Sequence, residues 1–425
     1  MGPEAPAARL APSCFPRVYR SLVAAGPAGR PVGTGHIRIA TTTGLAERLG
    51  PDACWEGSVP PLPLIEPQPG TALFWVEGRE RAVLASATND GVRLWFDPDA
   101  WAAALTASTL FLADRPYWTY LPFHPHSIPP SLRAMARGWL GRSARATRIR
   151  PVEFLIDWLR RAIGAALAEP EDRADVALVL SHDVDTAAGL DGLGRLLEIE
   201  EKAGVRSCSY VVSGRFPLDD RFLEDARGRG FEIGHHDHYH DYRTAYLSEE
   251  RIQARFDEAR FFRERHQVSG FRAPGWYRTE RLLRVTARHF AYDSSFPSWR
   301  TIPAPNGCLT RRPFMLGGIP VIPLTVPPDG ELLSRGLDPA GMLAAWRDHA
   351  AFIRERCGSS STIHVLTHPE PAFTRSAACL EAYSSLLQDL TGLPRIRNRL
   401  PRDLAAVTRE PGAEHDGPGS APPSS

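Results

Sequence analysis

The chain reads as an α/β protein, with a parallel (β/α) barrel in its second half and a smaller α/β region in front. Three observations predict this. From about residue 175, short apolar runs alternate with amphipathic stretches some seven times. Alternation of that kind implies parallel strands with crossover helices, and so many repeats favour a barrel over an open sheet. Polar, titratable residues recur just past the apolar runs, where such barrels carry their chemistry. And 425 residues exceed one typical small domain, so a large and a smaller unit are expected.

In chain order, residues 1–35 are rich in Ala, Pro, Gly and Arg and are expected to be poorly ordered. Residues 36–150 form the N-terminal α/β region, where "TALFWVEG", "RAVLASAT" and "VRLWFDP" are strand-like runs between turn residues. "DPDAWAAALTASTLFL" follows as a helix, with Asp97 as its cap and Pro98 in its first turn. "RPYWTYLPFHPHSIPP" at 115–130 is too proline-rich for a long regular element. "PVEFLIDWLRRAIGAALA" has helical apolar spacing and makes 151–174 a connecting helix.

The barrel spans 175–408. "VALVLSHD", "RSCSYVVSG", "FEIGHHD", "GFRAPGW", "FAYDSS", "GIPVIPLTV" and "TIHVLTHPE" are its strands. "LDGLGRLLEIEEKAG", "DDRFLEDARGRG", "SEERIQARFDEARFFRERH", "TERLLRVTARH" and "PAGMLAAWRDHAAFIRERCG" are its helices. Residues 409–425 are poor in apolar side chains and are expected to be disordered.

Composition narrows the function. A net charge of +1 gives no electrostatic case for nucleic acid or an acidic membrane surface. Cys14, Cys54, Cys208, Cys308, Cys357 and Cys379 are scattered, with no CxxC. That excludes a thiolate zinc knuckle and a disulfide framework, and suits reduced thiols in the cytosol. The first residues lack a basic segment followed by an apolar one. No apolar stretch reaches the roughly 18 residues of a membrane span. A cytoplasmic protein without a membrane span is therefore expected.

The candidate site collects at the strand ends. Asp183 and Asp185 follow the first strand, "GHHDHYHDY" the third; Arg272 ends the fourth, Asp293 the fifth and His368 the last. His236 and His240 are spaced i, i+4, which on a helical turn would put two imidazoles on one face, as in zinc sites. His235 or His238 could serve instead from a less regular loop. Two imidazoles and one carboxylate make a three-ligand catalytic zinc site. A second carboxylate is then left to act on water. Arg272, if buried, would hold a neighbouring carboxylate ionised. Trp276 and Trp299 could stack on a sugar ring or pack in the core.

This set resembles the polysaccharide deacetylase superfamily, the carbohydrate esterases with a NodB-homology domain. The family's Thr-Phe-Asp-Asp motif corresponds to Ser181-His182-Asp183-Val184-Asp185, with Val184 where the metal-binding Asp normally stands. Some branches use Asp-x-Asp, which moves that ligand to Asp185. His-x-x-x-His matches His236 and His240; Arg-x-Pro matches Arg272-Ala273-Pro274; Leu-x-His matches Leu366-Thr367-His368. The resemblance covers roughly residues 175–400 and implies a distorted barrel with fewer than eight strands.

It further implies a divalent metal on Asp185, His236 and His240, zinc first, with cobalt or another divalent ion as alternatives. Asp183 would be the base, held by Arg272, and His368 the acid, oriented by Asp293. Leu366, Pro274 and Trp276 would line the substrate pocket. The implied substrate is an N-acetylated amino sugar or glycan. Two other readings stay open: a catalytically silent carbohydrate-binding or scaffold protein on the same barrel, and the same hydrolysis on a non-carbohydrate amide. A haloacid-dehalogenase-type phosphatase, also suggested by Asp-x-Asp, needs a distant lysine, and the only lysine is Lys202.

Overall fold

The structure is a computed structural model. It describes residues 35–50, 53–68, 70–77, 82–89, 91–107, 149–167, 175–299, 310–357 and 360–409, with most of 19–32. The proline-rich segment 115–130, the tail beyond 409 and most of residues 1–35 lie outside the described residues.

The N-terminal region is a five-stranded antiparallel sheet. Its strands are β1 (Gly35–Thr41), β2 (Trp55–Val59), β3 (Thr71–Val76), β4 (Ala82–Thr88) and β5 (Gly91–Leu94), in the order β2-β1-β3-β4-β5. The stretch expected to be poorly ordered contributes to it: Val23, Ala28 and Val32 form bridges to Leu94, Ile65 and Leu62. The helix Leu155–Ala166 does more than connect. Its Trp158 is fully buried and meets Phe74 edge to face at 5.9 Å. Its buried residues belong to one apolar cluster that also holds Leu283, Phe296, Phe314 and Val321 of the second half.

That second half is the distorted barrel. Seven parallel strands run in the order β12-β10-β9-β8-β7-β6-β13: β6 (Val176–Val184), β7 (Cys208–Val211), β8 (Glu232–His235), β9 (Gly270–Phe271), β10 (Tyr292–Asp293), β12 (Ile319–Val321) and β13 (Thr362–Thr367). Two further strands join the sheet, and only the first departs from the purely parallel expectation. β11 (Phe314–Leu316) pairs antiparallel with β12, and β14 (Ile396–Asn398) pairs parallel with β6. β11 and β12 are separated by Gly317 and Gly318, both at positive φ, which the tight reversal requires.

The seam between β12 and β13 is bridged beyond β12. Val326 N–H donates to His364 O at 3.2 Å, and His364 N–H donates to Thr325 Oγ1 at 2.8 Å. Because side chains alternate along a strand, Ser181 and Asp183 point into the barrel, while His182 points out to helix Ala187–Lys202, where it meets Glu200. On β13, Ile363 and Val365 join the outer apolar cluster, and His364 points inward. Gly234 leaves room for Tyr210: a Cβ there would come within 2.4 Å of its ring.

Candidate active site

Period two explains the first pair of carboxylates. Asp183 lies on the inner face of β6 and Asp185 follows one step beyond its end, on the same side. Adjacent aspartates on an extended strand would face opposite ways.

Arg272, directly after β9, is wholly buried and uses all five of its donors. Nε donates to Ser294 O (3.0 Å), and Nη1 to Ser181 Oγ (3.0 Å) and Asp183 Oδ1 (2.8 Å). Nη2 donates to Ser294 Oγ (3.0 Å) and His364 Nε2 (3.2 Å). Its guanidinium carbon lies 3.9 Å from the centroid of the Tyr210 ring. His364 can accept because its Nδ1 donates to Pro323 O at 3.0 Å. Burial, with Arg272 beside it, holds His364 far below the usual imidazole range. Burial works against an ionised Asp183, but Arg272, then His236 and His368, outweigh it and bring its carboxyl below the ordinary value.

Asp185, His236 and His240 converge, their ligand atoms all within 4.8 Å of one another. His236 Nε2 lies 3.4 Å and His240 Nε2 3.2 Å from Asp185 Oδ1. Burial opposes ionisation of Asp185, yet the two imidazoles hold its carboxyl well below the usual carboxylate range. Despite those distances, Asp185 Oδ1 is buried without a hydrogen-bond partner among the described residues. The His236 tautomer points the same way. Its Nδ1 faces Arg272 O at 2.8 Å; a carbonyl only accepts, so Nδ1 carries the proton. In the neutral ring the Nε2 lone pair then faces a carboxylate oxygen, an arrangement that a cation between them would relieve. Two nitrogens and one oxygen suit zinc, and an imidazole whose other nitrogen donates to a carbonyl is the usual form of a metal ligand. The residues fit a divalent ion.

The histidine spacing does not lie on a helical turn. Residues 236–243 form a loop in which Asp237, His240 and Tyr242 all take positive φ (66°, 52° and 61°). His235 points away, into Phe256, Phe262, Phe271 and Phe290, with burial holding it well below the usual range. His238 Nδ1 meets Ser213 Oγ at 3.0 Å.

His368 is held by Asp329, not by Asp293. Asp329 Oδ1 lies 2.7 Å from His368 Nδ1 and Oδ2 accepts its backbone N–H at 3.1 Å. Burial pulls the imidazole down, but Asp329 outweighs it and the pKa rises to about 10. Asp293 instead accepts from Ser295 N (2.7 Å) and Ser295 Oγ (3.1 Å), while Ser295 Oγ accepts from Ala273 N at 2.9 Å. It braces the Arg272-Ala273-Pro274 segment, and burial pushes its carboxyl up to about 6. The reason is topological. β10 pairs with β9 and β12, so Asp293 sits beside the end of β9 and the Arg272 segment, whereas Asp329 opens the helix Asp329–Ser334, which contacts β13.

Leu366 is buried against Trp299 and Leu324. Trp299 is itself buried and donates Nε1–H to Glu331 Oε2 at 3.0 Å, so it packs in the core. Trp276 is half-buried, edge-on to Trp299 at 5.2 Å, and Pro274 is buried. Ser181, His364, Asp329 and Glu370 have no role in the sequence reading, where Ser181 stands only as part of a motif. The first two alternate with Asp183 and His368 along their strands, a signal that could have found them. Glu370, two residues past His368, takes the Thr186 hydroxyl at 2.8 Å; burial raises its carboxyl despite that bond.

No protein-family model matches the chain, and no curated protein matches it. Solved structures do. A Mycobacterium smegmatis protein assigned as a polysaccharide deacetylase is 18% identical, with a TM-score of 0.46 over 62% of this chain and 94% of its own. A family 4 carbohydrate esterase from Streptomyces lividans, in complex with acetate, is 14% identical, with a TM-score of 0.36 over 53% of this chain and 92% of its own. A family 4 pseudoenzyme from Bacillus anthracis is 16% identical, with a TM-score of 0.37 over 55% and 66%. The structural neighbours are family 4 polysaccharide deacetylases and their kin. With TM-scores below 0.5, the likeness carries no argument for activity, which rests on the side chains.

Proposed function

We propose that this protein is a metal-dependent hydrolase that removes the acyl group from an N-acetylated amino sugar or a related amide. One observation carries the reading. A buried carboxylate clamped by Arg272 and an imidazole clamped by Asp329 flank the Asp185, His236 and His240 cluster.

A divalent ion, zinc first, held by Asp185, His236 and His240 would supply Lewis acidity toward a water and an acyl carbonyl. Asp183 is suited to remove the water's proton. Its Oδ1 is committed to Arg272, and its Oδ2, 3.6 Å from His236 Nε2, is the oxygen that faces the cluster. His368 is suited to give a proton to the departing amine. Its Nδ1–H is directed to Asp329, so the mobile proton sits on Nε2. Asp293 supports the Arg272 segment and touches neither proton carrier.

The test is acetate release from a panel of N-acetylated sugars and simple acetamides, with and without chelator. Release that chelation abolishes and zinc or cobalt restores supports the reading. Metal uptake without release from any panel member would leave a binding or scaffold protein in its place.

A further inference from the structure

The loop that carries His236 and His240 is built around a side chain from elsewhere in the chain. Three non-glycine residues with positive φ within six positions are costly and persist only where the surroundings over-determine them. Here the surroundings are Arg255, from the helix Glu249–Glu258. Its Nη1 and Nη2 grip Asp241 at 2.7 and 2.6 Å, and Nη1 also donates to Thr244 Oγ1 at 2.6 Å. Asp237 Oδ2 lies 3.6 Å from Nη1, and the guanidinium carbon sits 5.0 Å from the Tyr239 ring centroid. Residues 237, 239 and 241 thus turn to Arg255, while 236 and 240 turn to Asp185. Asp237 closes the arrangement: buried, it accepts from His240 N–H at 3.2 Å and from Thr244 Oγ1 at 2.9 Å.

We infer that Arg255, acting through Asp237 and Asp241, is a positioning residue that presets His236 and His240 for a divalent ion. The inference rests on the proposed metal centre. A fork that meets a carboxylate with two nitrogens fixes orientation as well as charge, which an ammonium does not. Partners behind metal ligands are commonly worth about 10- to 100-fold in metal affinity.

The experiment is Co2+ titration of the full-length protein, stripped of metal, by visible absorption and chelator competition, with thermal melting alongside. Arg255→Gln should weaken Co2+ by about 10- to 100-fold and shift its absorption bands. Arg255→Lys should recover only part of the affinity. Asp241→Asn, which keeps the arginine and stands in where Arg255→Gln does not fold, should also weaken Co2+ by more than about twofold. Arg161→Gln, which breaks a partly buried ion pair with Glu153 (2.8 Å) away from the loop, should change melting alone. Affinity within twofold of wild type in Arg255→Lys and Asp241→Asn would overturn the inference and leave Arg255 a stabilising residue. Absence of Co2+ binding by the unaltered chain would overturn the metal centre and this inference with it.

Discussion

Asp329 grips His368 twice, through the ring Nδ1 at 2.7 Å and through the backbone N–H at 3.1 Å. The contact fixes the ring's rotation and favours its cationic form. With a folded pKa of about 10, above the roughly 6.5 of a free imidazole, the pair stabilises the fold fully below about pH 6.5. That contribution is lost as pH climbs through about 10. Asp329→Asn should move the alkaline limb of kcat/KM to lower pH, because the amide cannot hold the cation. A pH–rate profile reads this; an unmoved limb would remove His368 as the acid.

Asp183→Asn should keep the metal and lose turnover. The asparagine oxygen can still accept from Arg272, so the fold is preserved, but it cannot take a proton. The expected loss in kcat is about 10²- to 10⁴-fold. Metal content by mass spectrometry and kcat together check it.

His236→Ala should lose bound metal, because one of three ligands disappears and Asp185 Oδ1 keeps a single imidazole neighbour, His240 at 3.2 Å. Metal stoichiometry after dialysis measures this. Full stoichiometry would refute the ligand assignment.

Behind the site, His182 and Glu200 are completely buried and 2.8 Å apart, with Ser207, Thr367 and Tyr383 also bonded to the pair. His182→Leu would strand Glu200 in the interior and should cost about 3–5 kcal/mol. His182→Leu with Glu200→Leu should recover most of it, since a buried pair exchanged for apolar groups is often neutral. Urea denaturation of both variants tests this.

Sequence reading reached the parallel barrel because strand and helix periods differ, and it drew its candidate residues from the strand ends, where polar residues interrupt apolar runs. Asp185, His236 and His240 do meet in space. What it missed depends on tertiary geometry. Nothing local distinguishes Asp329 in "VPPDGE" from an ordinary helix-opening aspartate, while Asp293 in "YDSS" looked equally placed. β11 is three residues long and Phe314–Leu316 carries no alternating pattern. The helical reading of His236 and His240 failed because Asp237, Arg255 and Thr244 pay for a loop that the i, i+4 spacing alone does not reveal.

Helix Leu155–Ala166 shares one greasy cluster with both halves: Phe74 belongs to the front sheet, and Phe296 and Val321 to the barrel wall. Neither half therefore owns a complete interior. A gene fragment starting at residue 175 would leave that wall wet, and its product should precipitate or recruit chaperones. Heating the intact chain should give one calorimetric peak for both halves instead of two.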